Sequence, residues 1–351
     1  MAASMRAAVY HGPGDVRIES RDVPAPRPGE LLVRVTRSGV CGTDATEWKA
    51  GPKVFPVHRE HSVSGHVGPL IPGHEFIGVV EDGSERFPVG TRVASGAGVS
   101  CGRCDRCAEG RTNLCREYRT LGLNVDGAMA EFVAVPESIL VAIPETLSDD
   151  AAGLAQPLAV GLHAARRAEV RSGDRVLLMG AGAIGTFVLA GIRKLVPAAD
   201  VTVTDFSGSR LERATRIGAA KVVAVDDPGY EPTLESWAKR FDVVIEASGA
   251  PGQLSRAISA VRDGGTILQV GIPSAPQEVD IHQLVFREIS IVTTLAHVCG
   301  VDLPDALDIL ETTPLADELL DSVRPLAELP EQLQLLATGR LEGKVLFDPS
   351  R

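Results

Sequence analysis

From Arg175 onward the chain alternates between nearly continuous apolar runs and stretches whose apolar residues recur at helical spacing. The runs at Arg175–Gly180, Asp200–Asp205, Lys221–Val225, Phe241–Ser248, Gly265–Gly271 and Ile289–Leu295 predict strands. The amphipathic stretches Gly185–Lys194, Ser209–Ile217 and Gln253–Arg262 predict the helices that cover them. Strands shielded on both faces keep few polar positions, so this alternation is the pattern of a parallel sheet between two layers of helices. Six such strands in two halves predict an α/β fold with a doubly wound sheet of the dinucleotide-binding kind.

Residues 6 to 157 read differently. Leu31–Thr36 and Glu131–Val135 mix β-formers with short polar interruptions, and Pro24, Pro26, Pro28 and Gly29 punctuate an early loop. After Leu295, helical spacing returns at Pro304–Glu311 and Pro330–Ala337, Gly339 marks a stop, and Lys344–Phe347 reads as a last strand. The expected division is a mostly-β domain from 1–157 and 296–351, and a parallel-sheet domain from 158–295. Val176–Ile192 is a run of seventeen uncharged residues with four glycines. It falls short of the roughly 20 apolar residues of a membrane span and reads as a strand running into a helix.

At 351 residues the chain has room for two domains. A net charge of −11 argues against nucleic acid or an anionic membrane as main partner. Six cysteines, four of them clustered, with no apolar leader in Met1–Arg6, point to a reducing cytoplasm and metal binding rather than disulfides.

Four of those cysteines, Cys101, Cys104, Cys107 and Cys115, follow a C-x2-C-x2-C-x7-C spacing in a lobe at about 96–118. Four thiolates this close suit one tetrahedral Zn2+. An iron–sulfur cluster is the rival reading, but a ferredoxin run has three residues before its last cysteine and a proline after it. Here seven intervene and Arg116 follows.

Gly180-Ala-Gly182-Ala-Ile-Gly185 matches G-x-G-x-x-G after a strand and at the opening of a helix, with Asp205 at the end of the next strand. Gly180 permits the turn, Gly182 lets backbone N–H groups approach a pyrophosphate, and Gly185 allows close helix–strand packing. The helix N-terminus adds partial positive charge. Asp205 is expected to bind a ribose 2′-OH and repel a 2′-phosphate, favouring NAD over NADP. Arg210 is the nearby group that argues for a phosphate.

Cys41 in Val40-Cys-Gly-Thr-Asp44, and His74-Glu75 in Pro72-Gly-His-Glu75, offer a thiolate, an imidazole and a carboxylate, a set that leaves zinc an open position. A lone cysteine is more often a small buried apolar residue. Taken in order, Cys41-Gly-Thr-Asp, Gly73-His-Glu, the cysteine lobe, Asp126-Gly-Ala-Met-Ala-Glu-Phe, Gln156-Pro-Leu-Ala-Val-Gly-Leu-His and the glycine turn resemble the zinc-dependent medium-chain dehydrogenases over nearly the whole chain. The polyol branch, with its sorbitol and (R,R)-2,3-butanediol dehydrogenases, is the most similar. The long Trp48–Ile71 stretch resembles the butanediol enzymes in particular.

This resemblance implies a GroES-like catalytic domain, a Rossmann domain, one catalytic and one structural zinc per chain, and NAD. It implies a small-molecule alcohol whose hydroxyl pKa zinc lowers before hydride passes to NAD+. Cys41 and His74 would hold that zinc, with Glu75 as a direct or alternating ligand. Gln156 stands where polyol enzymes often carry Glu, either ligating or holding water beside the metal. A neutral Gln leaves the shell less negative, which strengthens the Lewis acid. Thr43 matches the hydroxyl that takes the substrate proton, and Thr46 stands where butanediol-type sequences place a relay histidine. The implied nucleotide site extends to Ile184, Val270, Gly271, Ile272, Thr294 and Leu295. Trp48 and His297 fall at substrate-side positions, although a core role suits Trp48 equally. A homodimer or homotetramer is implied, by edge pairing of Ile289–Leu295.

His58, His61 and His66 read as a solvated loop, with a place at the substrate mouth or a neighbouring subunit as the alternative. A zinc-free quinone or enoyl reductase would lack the Cys/His/Glu set and the lobe. A non-catalytic scaffold would not need them. Among zinc enzymes the sequence does not separate a diol from a sugar, cyclitol or amino alcohol. Threonine dehydrogenase fits less well, its stretch corresponding to 48–71 being shorter.

Overall fold

The computed structural model describes residues 3–351, except for the side chains of Pro232 and Leu234. They form two compact units, one of residues up to Ala159 with Val298–Arg351, the other Val160–His297.

Among the described residues, the first unit is built on a seven-stranded sheet. Its order is Leu320–Pro325, Lys344–Asp348, Glu30–Gly39, Glu75–Val80, Arg92–Ser95 and Leu140–Ala142, while Phe132–Pro136 pairs with the first half of Glu30–Gly39. A hairpin of Ser4–Gly12 and Asp15–Asp22 forms a separate two-stranded sheet. The carboxyl-terminal segment belongs here because Val345 and Phe347 share a core with Ala7, Val9, Val40, Met129, Leu329 and Leu333. Each large apolar side chain buried there contributes about 1.5–3 kcal/mol.

The second unit is a six-stranded parallel sheet ordered Lys221–Ala224, Asp200–Asp205, Arg175–Met179, Phe241–Glu246, Val261–Gln269 and Ser290–Thr293. Alternate residues of one strand feed opposite cores. Val176 and Leu178 pack with Val188, Leu189 and Ile192, whereas Leu177 and Met179 pack with Trp237, Val244 and Ile258. Met179 lies opposite both Thr204 and Glu246, which brings three strands to one level at their carboxyl ends.

Asp200–Asp205 and Ser209–Ile217 have their expected bounds, and most other elements shift by a few residues. The expected 289–295 strand shortens to Ser290–Thr293, because its neighbour offers partners only from Thr266 to Gln269. The helix expected at Pro304 starts at Cys299, with Asp302 Oδ2 accepting the Val298 N–H at 2.7 Å and Pro304 held inside. Helix Gly42–Ala50 was not anticipated, since polar residues occupy all its faces. Asp44 caps it by accepting the Cys41 N–H at 2.9 Å.

The loop after that helix is anchored rather than simply solvated. Phe55, Val57 and Leu70 cluster with Tyr10, and the buried Glu47 carboxylate accepts the Lys53 and Val54 N–H groups. His61 and His66 close a turn in which His61 Nδ1 accepts the Ser64 N–H at 3.1 Å. No helix among the described residues is long and apolar enough to cross a membrane.

Candidate active site

Cys101, Cys104, Cys107 and Cys115 bring their sulfurs within 4.8 Å of one another. Cys104 Sγ lies 3.6 Å from Cys107 Sγ and 3.9 Å from Cys115 Sγ. A tetrahedron with Zn–S bonds of about 2.3 Å has edges of about 3.8 Å, so the spacing fits zinc. The backbone amides of Arg116 and Cys107 point at the Cys104 sulfur and pull its pKa down to about 6, favouring the thiolate that ligates metal.

The second group is Cys41, His74 and Glu75, again with ligand atoms within 4.8 Å. Cys41 is the N-cap of the Gly42–Ala50 helix, and Glu75 opens the Glu75–Val80 strand. His74 is aimed by Gly73, whose φ of +101° only glycine adopts freely. A Cβ on Gly122 would sit 2.4 Å from the Gly73 carbonyl, and one on Gly127 would sit 2.3 Å from the Gly73 oxygen. Three backbones thus meet beside His74 where no side chain fits.

Asp44 Oδ1 stands 3.7 Å from His74 Nδ1, and both atoms are buried without a hydrogen-bond partner. A carboxylate behind a histidine is the usual support of a zinc-ligating imidazole. Burial opposes a charged ring, but the Asp44 carboxylate and the Cys41 sulfur outweigh it and raise the metal-free His74 pKa to about 10. Lys344 is buried, donates to the Val40 carbonyl at 2.6 Å, and contacts the Glu75 carboxylate. Ionised Cys41, Asp44 and Glu75 are offset by Lys344 and one divalent cation, so the donor set fits zinc with no charge left over. The sequence reading missed Asp44 and Lys344. Their signals were an acid at the third helical position and a lysine opening an apolar strand.

Around this group, Thr43 Oγ1 is 3.9 Å from Cys41 Sγ. The Thr46 hydroxyl donates to the Gly42 carbonyl at 2.9 Å. Trp48 packs into the core of the first unit and donates to Gln334 Oε1 at 3.1 Å, which gives it a packing role. Gln156 is buried at the start of helix Ala155–Arg167, and His297 is buried at the end of the second unit.

At the glycine turn, Gly182 is the N-cap of helix Ala183–Leu195 and has open space where a Cβ would be, as a close-approaching ligand requires. A Cβ on Gly185 would lie 2.0 Å from the Gly180 carbonyl oxygen. Asp205 Oδ2 accepts the Ala181 N–H at 2.6 Å, and Arg210 Nη1 lies 3.6 Å from Oδ1. Ile272 and Leu295 are exposed, while Ile184 packs against the sheet core.

A mostly-β unit with two thiol-centred ligand groups, and a doubly wound unit with an intact glycine turn, define a zinc- and nicotinamide-dependent dehydrogenase. Comparison with known proteins agrees. Residues 27–145 match the alcohol dehydrogenase GroES-like domain, and residues 183–312 match the zinc-binding dehydrogenase domain. Sorbitol dehydrogenase of Bacillus subtilis strain 168 is 32% identical over 302 residues, 80% of this chain and 81% of that protein. L-threonine 3-dehydrogenase of Paraburkholderia xenovorans strain LB400 is 35% identical over 280 residues, 77% of this chain and 78% of that protein. The crystal structure of 2R,3R-butanediol dehydrogenase from Bacillus subtilis superposes with a TM-score of 0.86 at 28% identity, covering 99% of this chain and 100% of the other. The chain belongs to the zinc-dependent medium-chain dehydrogenase family, in its polyol branch. It is an alcohol/polyol oxidoreductase that uses zinc and NAD.

Proposed function

We propose that this enzyme oxidises a secondary alcohol of a polyol, diol or sugar-like molecule to its ketone, with NAD+ accepting the hydride. The observation that carries this reading is the convergence of Cys41, His74 and Glu75, with Asp44 behind the His74 ring and Lys344 against the Glu75 carboxylate. Those three residues and Gln156 would hold the catalytic zinc, and the four lobe cysteines the structural one. When bound, the catalytic ion polarises the alcohol oxygen and lowers its pKa. Thr43 takes the hydroxyl proton. The Thr46 hydroxyl is engaged with its own helix and does not replace a relay histidine, so the ribose hydroxyls of a bound cofactor would supply the onward path for the proton.

Asp205 supports NAD over NADP, since its carboxylate repels a 2′-phosphate. Arg210 leans on that carboxylate and partly offsets it. A second substrate reading is L-threonine, whose C3 hydroxyl is also a secondary alcohol. It is favoured by the 35% identity to the threonine enzyme.

Among the described residues the Ser290–Thr293 strand has one neighbour, and Ile281, Val285 and Phe286 are exposed on the preceding helix. This apolar edge supports self-association as a homodimer or homotetramer. Six free cysteines support a cytoplasmic location.

The test is NAD+ reduction with vicinal diols, sugar alcohols, aldoses, amino-cyclitols and L-threonine, before and after chelation, beside a Cys41→Ser variant. Activity that chelation and Cys41→Ser both abolish is expected. The reading fails if fully zinc-loaded enzyme forms no NADH with any of them, or if Cys41→Ser keeps full turnover.

A further inference from the structure

In the second unit, the turn Ala247–Gly249 follows the Phe241–Glu246 strand and the turn Val270–Ile272 follows the neighbouring Val261–Gln269 strand. Glu246 lies between them with 1% of its surface exposed. Its Oε1 accepts the Ser248 N–H at 2.8 Å, the Gly249 N–H at 3.0 Å and the Ser248 hydroxyl. Its Oε2 takes a share of the Gly249 N–H at 3.1 Å and accepts Gln269 Nε2 at 2.5 Å. The main-chain carbonyl of Glu246 accepts the Val270 and Gly271 N–H groups at 2.8 and 2.9 Å. Gln269 Nε2 also donates to the Gly271 carbonyl at 2.7 Å.

One residue therefore ties both turns together. Among the described residues the partners of its side chain are neutral amides and one hydroxyl, so this carboxylate pairs with no cation there. Both its oxygens act only as acceptors, the role a carboxylate fills and an amide does not. Burying such a group is unfavourable unless its hydrogen bonds are complete. Here they are, and what they fix is local geometry.

The two turns touch backbone to backbone. A Cβ on Gly271 would lie 2.1 Å from the Gly249 nitrogen and 2.7 Å from Glu246 Oε2. A Cβ on Gly249, whose φ is +65°, would lie 2.8 Å from the Ile272 carbonyl oxygen. Ile272 stands out from this clamp with 90% of its surface exposed, an apolar side chain with no protein cover.

A doubly wound sheet binds a dinucleotide across its switch point, one mononucleotide per half. The glycine turn and Asp205 lie at strands Arg175–Met179 and Asp200–Asp205, the half suited to the adenosine side. The Glu246 clamp lies in the other half. We propose that Glu246 is a positioning residue for the nicotinamide half of NAD(H), holding the Ala247–Gly249 and Val270–Ile272 turns as the surface on which that ring and its ribose rest. This rests on the NAD reading above and assigns its second half.

The test uses zinc-loaded full-length protein titrated with NADH and, separately, with ADP-ribose, which lacks the nicotinamide. In Glu246→Gln an NH2 group replaces Oε2, the oxygen with fewer donors, and opposes Gln269 Nε2 and the shared Gly249 N–H. The NADH Kd is expected to rise about tenfold or more, while the ADP-ribose Kd stays within about twofold because its contacts lie in the other half. Gln269→Leu keeps the carboxylate but removes one donor, and is expected to shift NADH binding the same way by a smaller factor. If Glu246→Gln does not fold, the Gln269→Leu result alone decides. Unchanged NADH affinity overturns the proposal, and so does an equal loss of both ligands, which would mark a purely structural role. Failure of the wild-type enzyme to bind NADH would instead overturn the nucleotide reading beneath it.

Discussion

Lys344 contacts the Glu75 carboxylate where the two side chains are only 7% and 2% exposed. The same ammonium donates to the carbonyl of Val40, the residue before Cys41. The last strand is thus joined to the Cys41 segment and the His74–Glu75 segment, which carry three of the proposed ligands of the catalytic ion. Lys344→Met removes the ammonium that contacts this buried carboxylate. Breaking a buried pair in this way costs about 3–5 kcal/mol. Denaturant unfolding of chelated protein should show a loss of that order, and a change below about 0.5 kcal/mol would mean the pair contributes little.

Zinc uptake at the Cys41 group should release protons. The metal-free His74 ring has its pKa raised from 6.5 to about 10, so its charge contributes stability below about pH 6.5 that is lost as pH rises through 10. Zinc binds only the neutral imidazole, so between pH 7 and 9 each ion entering must displace that proton. Affinity should climb up to about tenfold per pH unit from this group alone. Calorimetry in two buffers of different ionisation enthalpy measures the released proton, and zero net release would contradict the charge assignment.

Asp205→Ala should move cofactor preference toward NADP. The carboxylate accepts the Ala181 N–H and stands 3.6 Å from Arg210. Removing it takes away the repulsion of a 2′-phosphate and frees Arg210 to meet one. We expect kcat/KM for NAD to fall about tenfold and that for NADP to rise, as loss and gain of one charged contact imply. An unchanged ratio would show that specificity is set elsewhere.

Cys104→Ser should separate the two metals. Zinc content is expected to drop by one equivalent while the Cys41 group keeps its ion. The sulfurs meet in a lobe built of short elements, Gly98–Val99, Asp105–Ala108 and Thr112–Leu114. Such a segment depends on its ion for folding. Limited proteolysis should therefore cut within residues 96–118 in the variant and spare the wild type. Equal resistance would rule out a scaffolding role for that zinc.

Much of this is legible in the sequence alone. The six strands of the second unit announced themselves because burial on both faces strips a strand of polar residues. The lobe was readable because thiolate spacing is a local property of the chain. Helix Gly42–Ala50 was not, since its polar sequence has no helical periodicity and its stability comes from a cap and the buried Glu47. Asp44, Lys344 and Glu246 escaped for a related reason. Each is a buried charged residue, and only the fold reveals which atoms face it. Gln269 looked like any polar strand end until its amide was seen joining Glu246 to Gly271.

The meeting of Gly73, Gly122 and Gly127 has a consequence for engineering. Residues 119–127 lead out of the cysteine lobe, and two of them press on the peptide that aims His74. Swapping the lobe or the loop between relatives therefore transplants part of the imidazole's mounting as well. A graft that breaks this triple contact is expected to arrive with a misaimed ligand, however faithfully the donor atoms themselves were copied.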